Sequence, residues 1–392
     1  MPSEPASLFI TLSLRDALGY SQPTYSHQTH LRASLNWLMR AQDVQIDGGV
    51  SAYNSLVTGW APSFIETTGY IISTFLDAHH QKIDFMSDLT VRAKKMADFI
   101  VSMQLSNGGY RTYPPNQKPE SIPTIFNTGQ DILGLCDYYE YSHRSKYLNS
   151  VVRAAEFLRQ NQNPNGTWTK YQLDNQPHTY DSRVAWAMIR VGKLAKQPKL
   201  IAAAKRELDW VVNQQRSSGW FEYSSLPGLD EAYPITHTIV YTIEGLWYAG
   251  KLLKHKPYLD SAYRAARGLY NAFKKNNWLA ATYDSRWQPQ SSYTCLTGNA
   301  QLAIQWLEMA RTYHRPHLAQ AAGQLIKQLK SWQLIGEKYG SAEGGVSGSY
   351  PIYGSLLPLK GYCRYAFINW AAKFFADALI ADQIYQLTES TT

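Results

Sequence analysis

The chain has 392 residues, of which 44% are hydrophobic, 17% charged and 13% aromatic, with 28 Tyr and 12 Trp. Its formal net charge of +8 comes from short clusters such as Lys94-Lys95 and Lys274-Lys275, without a long basic tract or zinc-finger spacing. The composition therefore predicts a globular protein that favours an anionic ligand, and it argues against nucleic acid as a partner. Tyr and Trp exceed the needs of a core, and such rings suit the wall of a wet cleft.

The N-terminal stretch MPSEPASLFITLSLRDALGY has a short apolar run with an acidic residue before it, which is a poor secretory signal. No segment approaches the roughly 18 uninterrupted apolar residues that a membrane span needs. Cys136, Cys295 and Cys363 are widely separated and offer neither a disulfide framework nor a CxxC metal site, which indicates a reducing compartment. We expect a soluble, cytoplasmic protein with an extension over residues 1–25 and a single domain over residues 26–392.

Six similar stretches recur along the chain at intervals of roughly 60 residues. Each opens with Thr, Gly or a polar residue and then becomes apolar with small residues, as expected of a helix surrounded by protein. The stretches are GWAPSFIETTGYIISTF (59–75), FNTGQDILGLCDYY (126–139), HTYDSRVAWAMIRV (178–191), HTIVYTIEGLWYAG (237–250), CLTGNAQLAIQWLE (295–308) and, more loosely, LPLKGYCRYAFINWAAKFF (357–375).

Amphipathic segments lie between these stretches, with charges on one face, and predict outer helices. A Gly-aromatic turn follows most of them, since Gly permits the left-handed conformation that ends a helix. The segments are 28–43, 89–105, 147–162, 199–215, 259–276 and 316–333, and their turns are DGGVSAY, SNGGYRTY, NPNGTWTKY, SSGWFEY, the irregular NNWLAATY, and EGGVSGSY.

This alternation of outer and inner helices predicts an all-α fold, an (α/α)6 toroid, in which six like units close into a ring. An open solenoid would need polar caps at its ends, whereas the last repeat ends with the apolar ADALIADQIYQL. The spacing Gln-x3-Gly-x-aromatic begins at Gln104, Gln162 and Gln215 and resembles the QW repeats of terpenoid-cyclase toroids. Each Gln is expected to bind free backbone groups of the turn.

Alignment of the inner stretches brings polar residues to equivalent positions near the start of each helix. A position that stays polar in an otherwise apolar helix predicts a shared wet pore. The sixth repeat contributes Tyr362 to this pore if its Gly361 is aligned with Gly69 of the first repeat. The candidate catalytic residues are Glu66, His178, Tyr180, Asp181, His237 and Tyr241. The candidate substrate-binding residues are Trp60, Tyr70, Gln130, Arg183, Glu244, Tyr293, Asn299, Tyr362 and Arg364.

Structural roles compete with these assignments. The alternative interpretation takes Glu66 as a charge that the helix dipole stabilises, Asp181 and Arg183 as a local ion pair, and the two histidines as core residues. Turn aromatics are further candidates for the rim of the pore; they are Tyr53, Trp60, Tyr113, Tyr223, Trp287 and Tyr293.

The candidates fit three functions. Proton abstraction beside a uronate carboxylate needs an acid and a base, here from the His and Tyr residues, and a group such as Arg183, Asn299 or Arg364 to hold the carboxylate. Hydrolysis needs two carboxyl groups about 5 to 10 Å apart, for example Glu66 with Asp131, Asp181 or Glu244. A non-catalytic glycan-binding component of a synthase complex is the third possibility.

No metal or cofactor is expected. A zinc site from Glu66, His178, His237 and Cys295 would lack any HxxxH or CxxC pair. The sequence also contains no DxDD motif, Gly-x-Ser-x-Gly elbow, P-loop or dinucleotide fingerprint.

Over nearly its whole length the sequence resembles the VpsJ-like proteins of bacterial polysaccharide biosynthesis clusters. The stretches that carry the resemblance are GGVSAY, GWAPSFIETTGYII, FNTGQDILGL, YDSRVAWAM, THTIVYTIEGL, CLTGNAQLAIQWL, GGVSGSYPIYG and NWAAKFFADAL. The resemblance implies an α/α toroid related to terpenoid cyclases and, more distantly, to glycan lyases and glucuronyl C5-epimerases. It also implies a carbohydrate role in exopolysaccharide production, without assigning a reaction or a catalytic residue. Since the net charge favours an anionic ligand, we expect an acidic oligosaccharide or polysaccharide as the substrate.

Overall fold

The computed structural model describes residues 4–81, 88–118, 122–229, 232–357 and 359–389. Residues 1–3 of the predicted extension and 390–392 of the predicted domain lie outside the described residues. After a first helix, outer and inner helices alternate along the chain. Helix α1 is Glu4–Ala17; the outer helices are α2 (His27–Asp43), α4 (Leu89–Ser102), α6 (Ser145–Gln160), α8 (Pro198–Asn213), α10 (Lys256–Asn276) and α12 (Pro316–Trp332); the inner helices are α3 (Ile65–His80), α5 (Ile125–Ser142), α7 (Ser182–Leu194), α9 (Thr236–Leu253), α11 (Leu296–Tyr313) and α13 (Asn369–Glu389).

The helices form a closed ring, and the predicted (α/α)6 toroid is confirmed. Each inner helix packs against the inner helices before and after it, and α13 returns to contact both α2 and α3. Outer helices such as α8 bury one stripe, which includes Leu200, Ala204, Leu208 and Val211, at the spacing of an amphipathic helix. The inner helix α9 is buried along nearly its whole length. The open solenoid is therefore wrong.

The sixth inner helix begins later than the sequence pattern indicated. Residues that were expected to lie in it form short strands instead, and α13 starts only at Asn369. The register on Gly361 is therefore wrong, and Trp370 occupies the position equivalent to Glu66. The strands are β1 (Tyr53–Ser55), β2 (Gly59–Trp60), β3 (Thr294–Cys295), β4 (Ser349–Tyr350), β5 (Ser355–Leu356), β6 (Leu359–Lys360) and β7 (Ala366–Ile368).

Strand pairing explains this difference and joins the two ends of the ring. Strand β7 pairs antiparallel with β1, and β5 pairs with β6. Because these backbone hydrogen bonds are made between strands, the segment before α13 does not form a helix. Asn369, the first residue of α13, donates through its side chain to the Ser51 carbonyl oxygen at 2.9 Å and to Thr67 Oγ1 at 2.7 Å. Each outer helix and the inner helix that follows it are called here a spoke. The sixth spoke is thereby fixed to the first.

Glutamines at the ends of outer helices tie each turn to the next outer helix. Gln104 Nε2 donates to the carbonyl oxygen of Gly108 in its own turn and to that of Ser150 in α6, both at 2.8 Å. The role predicted for this residue type is thus confirmed. The equivalent bonds join Gln42 to Gly48 and Arg92, Gln162 to Gly166 and Ala203, and Gln215 to Gly219 and Ser261.

The turns need glycine for two reasons. Gly166 has a φ of +97°, a conformation that other L-residues adopt only with strain. A Cβ at this position would also lie 2.6 Å from the carbonyl oxygen of Arg206 in the next outer helix. Each turn can therefore sit directly on its neighbour's backbone.

The same kind of glutamine closes the ring between α12 and α2. Gln333 Nε2 donates to Ser34 Oγ at 2.8 Å, to the Gly344 carbonyl oxygen at 2.9 Å and to the His30 carbonyl oxygen at 3.3 Å. Its Oε1 accepts from His30 Nδ1 at 2.7 Å. The backbone N–H of Tyr25 donates to His30 Nε2, which fixes the His30 proton on Nδ1.

Helix α1 packs against the segment that precedes α13. Asp16 Oδ2 accepts a hydrogen bond from the Ile352 backbone N–H at 2.8 Å, and the Phe9 ring stacks on Tyr365 with centroids 4.2 Å apart. In the ranges described above, no helix combines the length and the apolarity needed to cross a bilayer.

Replacement of Gln333 tests the closing hydrogen bonds. Gln333→Ala leaves several buried donors and acceptors without partners, and each hydrogen bond contributes about 1 kcal/mol net. We expect the free energy of unfolding to fall by about 3 kcal/mol, measured by urea denaturation. Gln328→Ala is the control, since Gln328 Nε2 makes a single bond, to the Asn277 carbonyl oxygen. Equal losses in the two variants would contradict a special role for the closing glutamine.

Candidate functional site

The two ends of the ring differ in structure because the connections between helices are long at one end and short at the other. Connections from outer to inner helices are long, as in residues 44–64, whereas connections from inner to outer helices are short, as in residues 143–144. The long connections gather where the inner helices begin. They surround a cavity of about 210 Å³, called here the mouth cavity. This volume is below the usual range for drug-sized ligands and suits one sugar unit.

Four inner helices line the mouth cavity with residues of their first turn. Glu66 comes from α3, Phe126 from α5, His237 from α9 and Trp370 from α13. Tyr180 lies in the 3-10 turn that precedes α7 and completes the wall. Since helix N-termini present free N–H groups and a positive dipole end, the cavity favours a ligand with a negative charge.

Aromatic rings form most of the wall. Phe126 lies 5.2 Å from Tyr180 and 5.1 Å from Tyr241 between ring centroids. The His237 ring lies 4.3 Å from Tyr241 and 5.7 Å from Tyr362. Such faces stack well on the C–H groups of a sugar ring, so the wall has the character predicted for a saccharide site.

Glu66 is the one carboxylate among the described residues that line this cavity. Its side chain is half-buried, so it meets the cavity although protein surrounds it. Burial raises the pKa of Glu66 to about 8, and the positive charge of Arg183 opposes that rise. The carboxyl group therefore carries a proton at neutral pH.

His237 has the opposite protonation state. Burial lowers the pKa of the His237 imidazole to about 3, and its Nδ1 lies 2.6 Å from Gln301 Oε1 in α11. A neutral imidazole with its proton on Nδ1 donates to this oxygen and keeps an unprotonated Nε2. The cavity thus holds a protonated carboxyl and a free imidazole nitrogen on two different spokes.

The floor of the mouth cavity is a buried ion pair. Arg183 Nη1 pairs with Glu244, and Arg183 Nε donates to Gln130 Oε1 at 2.7 Å. The guanidinium lies 4.7 Å from the centre of the Tyr241 ring. Tyr70 also lies at this level, since it lines the mouth cavity and the cavity below it. Arg183 is therefore held in place and acts on the mouth cavity through its electric field.

A second cavity of about 580 Å³, the rear cavity, opens at the other end of the ring. Glu244 and Arg183 line this cavity, not the mouth cavity. Asp77 also lines it, and burial together with the charges of Asp377 and Asp137 raises the pKa of Asp77 to about 7. The structure thus separates Glu244 from Glu66 by the floor of the mouth.

His178 faces away from the mouth cavity. It lines a neighbouring groove, where its Nε2 lies 2.9 Å from Asp174 Oδ1. Its ring stacks on Tyr180 with centroids 4.6 Å apart and an interplanar angle of 9°. The two histidines predicted as equivalents therefore line different spaces, His237 the mouth cavity and His178 the neighbouring groove.

Asp131, Asp181 and four other predicted residues do not line the mouth cavity. Asp181 accepts from Gln172 and lies close to the buried Glu207, and burial raises the pKa of Asp181 well above its usual value. Burial likewise raises the pKa of Asp131. The further placements are Asn299 Oδ1 near Thr294 Oγ1, Arg364 Nε donating to the Tyr353 carbonyl oxygen, Trp60 against Trp37, and Tyr293 in the core.

The residues weighed for zinc do not converge either. Cys295 is fully buried at the start of α11, and His178 lines the groove rather than the mouth cavity. Within the part of the chain that the structure describes, no group of three or more His, Cys, Asp and Glu side chains is arranged to hold a metal ion.

Sequence reasoning missed Trp370, Gln301 and Gln172. Trp370 was missed because the sixth repeat was aligned on Gly361, which is too early in the chain, although an apolar first helical turn was visible in NWAAKFF. Gln301 was missed because its role arises from contact between neighbouring spokes, which a repeat alignment does not show. Gln172 lines the mouth cavity from a connection without repeat character.

Comparisons with known proteins identify the fold. No family model and no curated protein matches the sequence. An unsaturated glucuronyl hydrolase specific for heparin superposes with a TM-score of 0.71 at 15% identity, over 92% of this chain and 98% of its own. The cellobiose 2-epimerase of Spirochaeta thermophila gives 0.73 at 13% identity, over 98% and 99%. An α-mannanase of Bacteroides thetaiotaomicron gives 0.66 at 15%, over 93% and 98%. These likenesses establish the fold.

Gln301 variants test the protonation of His237. In the wild type we expect the Nδ1–H tautomer at neutral pH, observed by ¹⁵N NMR of the imidazole and assigned with His237→Ala. Gln301→Leu removes the acceptor and should populate both tautomers. Gln301→Glu places a carboxylate beside Nδ1 and should raise the His237 pKa by at least about one unit. An Nε2–H tautomer in the wild type would contradict the assignment.

Proposed function

We propose that the protein is an enzyme that acts on a saccharide bound in the mouth cavity and moves a proton at C5 of a uronate unit. Lyases and C5-epimerases share this chemistry. The observation that carries the proposal is that Glu66 and His237 line one cavity from different inner helices, where burial raises the pKa of the first and lowers the pKa of the second, because a proton transfer needs a donor and an acceptor together.

The roles follow from these protonation states. His237 Nε2 accepts the proton from C5, and the electron pair of the C–H bond moves toward the uronate carboxyl group. Glu66 then gives its proton either to the opposite face of C5, which inverts that carbon, or to the leaving O4, which breaks the glycosidic bond. Each route uses one proton accepted and one donated.

The low pKa of His237 alone would make it a weak base. A uronate carboxylate bound beside the ring would raise the His237 pKa, since an opposite charge favours the imidazolium. The N-termini of α3, α5 and α9 face the same cavity and favour that carboxylate. The substrate would thus supply the charge that its own base requires.

The proposal extends to biological setting through similarity. The three solved structures named above bear the names of carbohydrate-acting enzymes, two of them hydrolases by activity and one an epimerase. The sequence resemblance to VpsJ-like proteins supports a place in exopolysaccharide biosynthesis, with an acidic oligosaccharide or polysaccharide as substrate and a synthesis complex as the setting.

Hydrolysis with Glu66 and a second carboxylate is the alternative. Asp131 and Asp181 are sealed from the mouth cavity, and Glu244 lies at the rear cavity in an ion pair with Arg183. Among the described lining residues, a partner carboxylate for Glu66 is absent, so the geometry favours proton transfer.

Substitutions at the two proposed groups test catalysis. Glu66→Gln and His237→Ala should each lower kcat/KM by about 10² to 10⁴ on glucuronate-containing oligosaccharides, because each removes a proton-transfer group. Turnover is followed as deuterium uptake at C5 in D₂O and as unsaturated product. Affinity should stay within about tenfold, or 1.4 kcal/mol.

Asp77→Asn is the control for these variants. Asp77 lies on the same helix as Glu66 and also has a raised pKa, but it lines the rear cavity. Its activity should match the wild type. Unchanged turnover in Glu66→Gln and His237→Ala would contradict catalysis by these two groups. Binding without turnover in the wild type would favour the non-catalytic glycan-binding role, and new reducing ends without unsaturated or deuterated product would favour hydrolysis.

The pH dependence of kcat/KM in the wild type should report the ionisation of Glu66. Since the protonated carboxyl is the active form and its folded pKa is about 8, kcat/KM should fall as the pH rises above about 8. The control Asp77→Asn should keep this alkaline limb. A rate that continues to rise through pH 9 would contradict an acid role for Glu66.

A further inference from the structure

A groove of about 520 Å³ lies beside the mouth cavity and is called here the side groove. The two spaces share Leu226 as a lining residue. They also share a wall, because His178 of the side groove stacks on Tyr180 of the mouth cavity. A chain that leaves the mouth cavity over this wall enters the side groove directly.

Tyr223 presents an aromatic face to the side groove. It has a φ of +54°, a left-handed conformation that is strained for a residue with a Cβ. Its backbone carbonyl oxygen accepts from Thr179 N–H at 2.9 Å, and Thr179 directly precedes Tyr180. The side chain stays 52% exposed, with its ring centroid 5.7 Å from that of Trp210. The strained backbone therefore holds an open ring next to the wall of the mouth cavity.

The charges of the side groove differ from those expected for a polyanion site. Its described lining includes the carboxylates of Asp174, Glu222 and Asp284 and the guanidinium of Arg216. Arg216 Nε lies 2.5 Å from Glu222 Oε1, so its charge is already paired. Burial lowers the pKa of His178, which leaves that imidazole neutral beside Asp174. Carboxylates accept hydrogen bonds from sugar hydroxyls and repel other carboxylates.

We propose that the side groove binds neutral sugar units joined to the unit in the mouth cavity. The proposal rests on the proposed function for the uronate in the mouth cavity and adds the class of its neighbours. A substrate in which uronates are flanked by neutral sugars fits both spaces. A polyuronate would place carboxylates against Asp174 and Asp284.

The test compares ligand length and charge by isothermal titration calorimetry in the Glu66→Gln protein, in which we expect turnover to be slowed by about 10² to 10⁴. One series is glucuronic acid and aldouronic acids, in which one glucuronate carries one to three xylose units. The other is oligogalacturonides of the same lengths. Affinity for aldouronic acids should rise at least fivefold with length, whereas affinity for oligogalacturonides should stay flat or fall.

Tyr223→Ala, made in the same background, should remove the gain with length and leave the affinity for glucuronic acid within twofold. Tyr113→Ala is the matched control, because Tyr113 is an exposed turn tyrosine that is not among the residues lining either space. It should preserve the gain.

The outcomes separate the two proposals. Glucuronic acid binding without a gain along the aldouronic series, or an equal gain along the oligogalacturonides, overturns the side groove proposal and leaves the proposed function standing. A gain that depends on Tyr223, together with full turnover in His237→Ala, supports the side groove and overturns the catalytic role. Absence of binding to every member of both series overturns the side groove proposal as stated.

Discussion

The structure depends on one repeated interaction, in which a glutamine at the end of an outer helix binds its own turn and the next outer helix. Gln104, Gln162 and Gln215 make these bonds in the middle of the chain, and Gln333 makes them between α12 and α2. These bonds tie the turn after an outer helix to the next outer helix, and the bonds of Gln333 tie the last outer helix to the first. A ring results, and the inner helices all begin at one end of it.

The ring in turn determines the electrostatics of the site. The first turns of the inner helices surround a small cavity, and burial there raises the pKa of Glu66 and lowers the pKa of His237. The charge of Arg183, which Glu244 and Gln130 hold in place, lowers both pKa values, so it opposes the rise of the Glu66 pKa and adds to the fall of the His237 pKa. A buried ion pair is costly to form. Here the pair of Arg183 and Glu244 separates the mouth cavity from the rear cavity, and the electric field of Arg183 acts on the mouth cavity.

The sequence predicted the ring but only part of the site. Six copies of an apolar stretch and their Gly-aromatic turns are local signals, so helix order and closure followed from them. Glu66 and His237 line the mouth cavity from the first turn of their inner helices, Tyr241 lies one turn further along α9, and Tyr180 lies in the 3-10 turn before α7. His178 was grouped with His237 because alignment ignores the 3-10 turn before α7, which rotates it toward the side groove. Trp370 was hidden by strand pairing between distant segments, which no local pattern encodes.

A crystal structure of the Glu66→Gln protein soaked with an aldotriouronic acid tests the central claim most directly. The account predicts a uronate ring in the mouth cavity, with C5 facing His237 Nε2 on one side and the residue 66 side chain on the other. The attached xylose units should lie over Tyr180 toward Tyr223. A ligand in the rear cavity with an empty mouth cavity, or a uronate whose C5 is remote from His237, would contradict it.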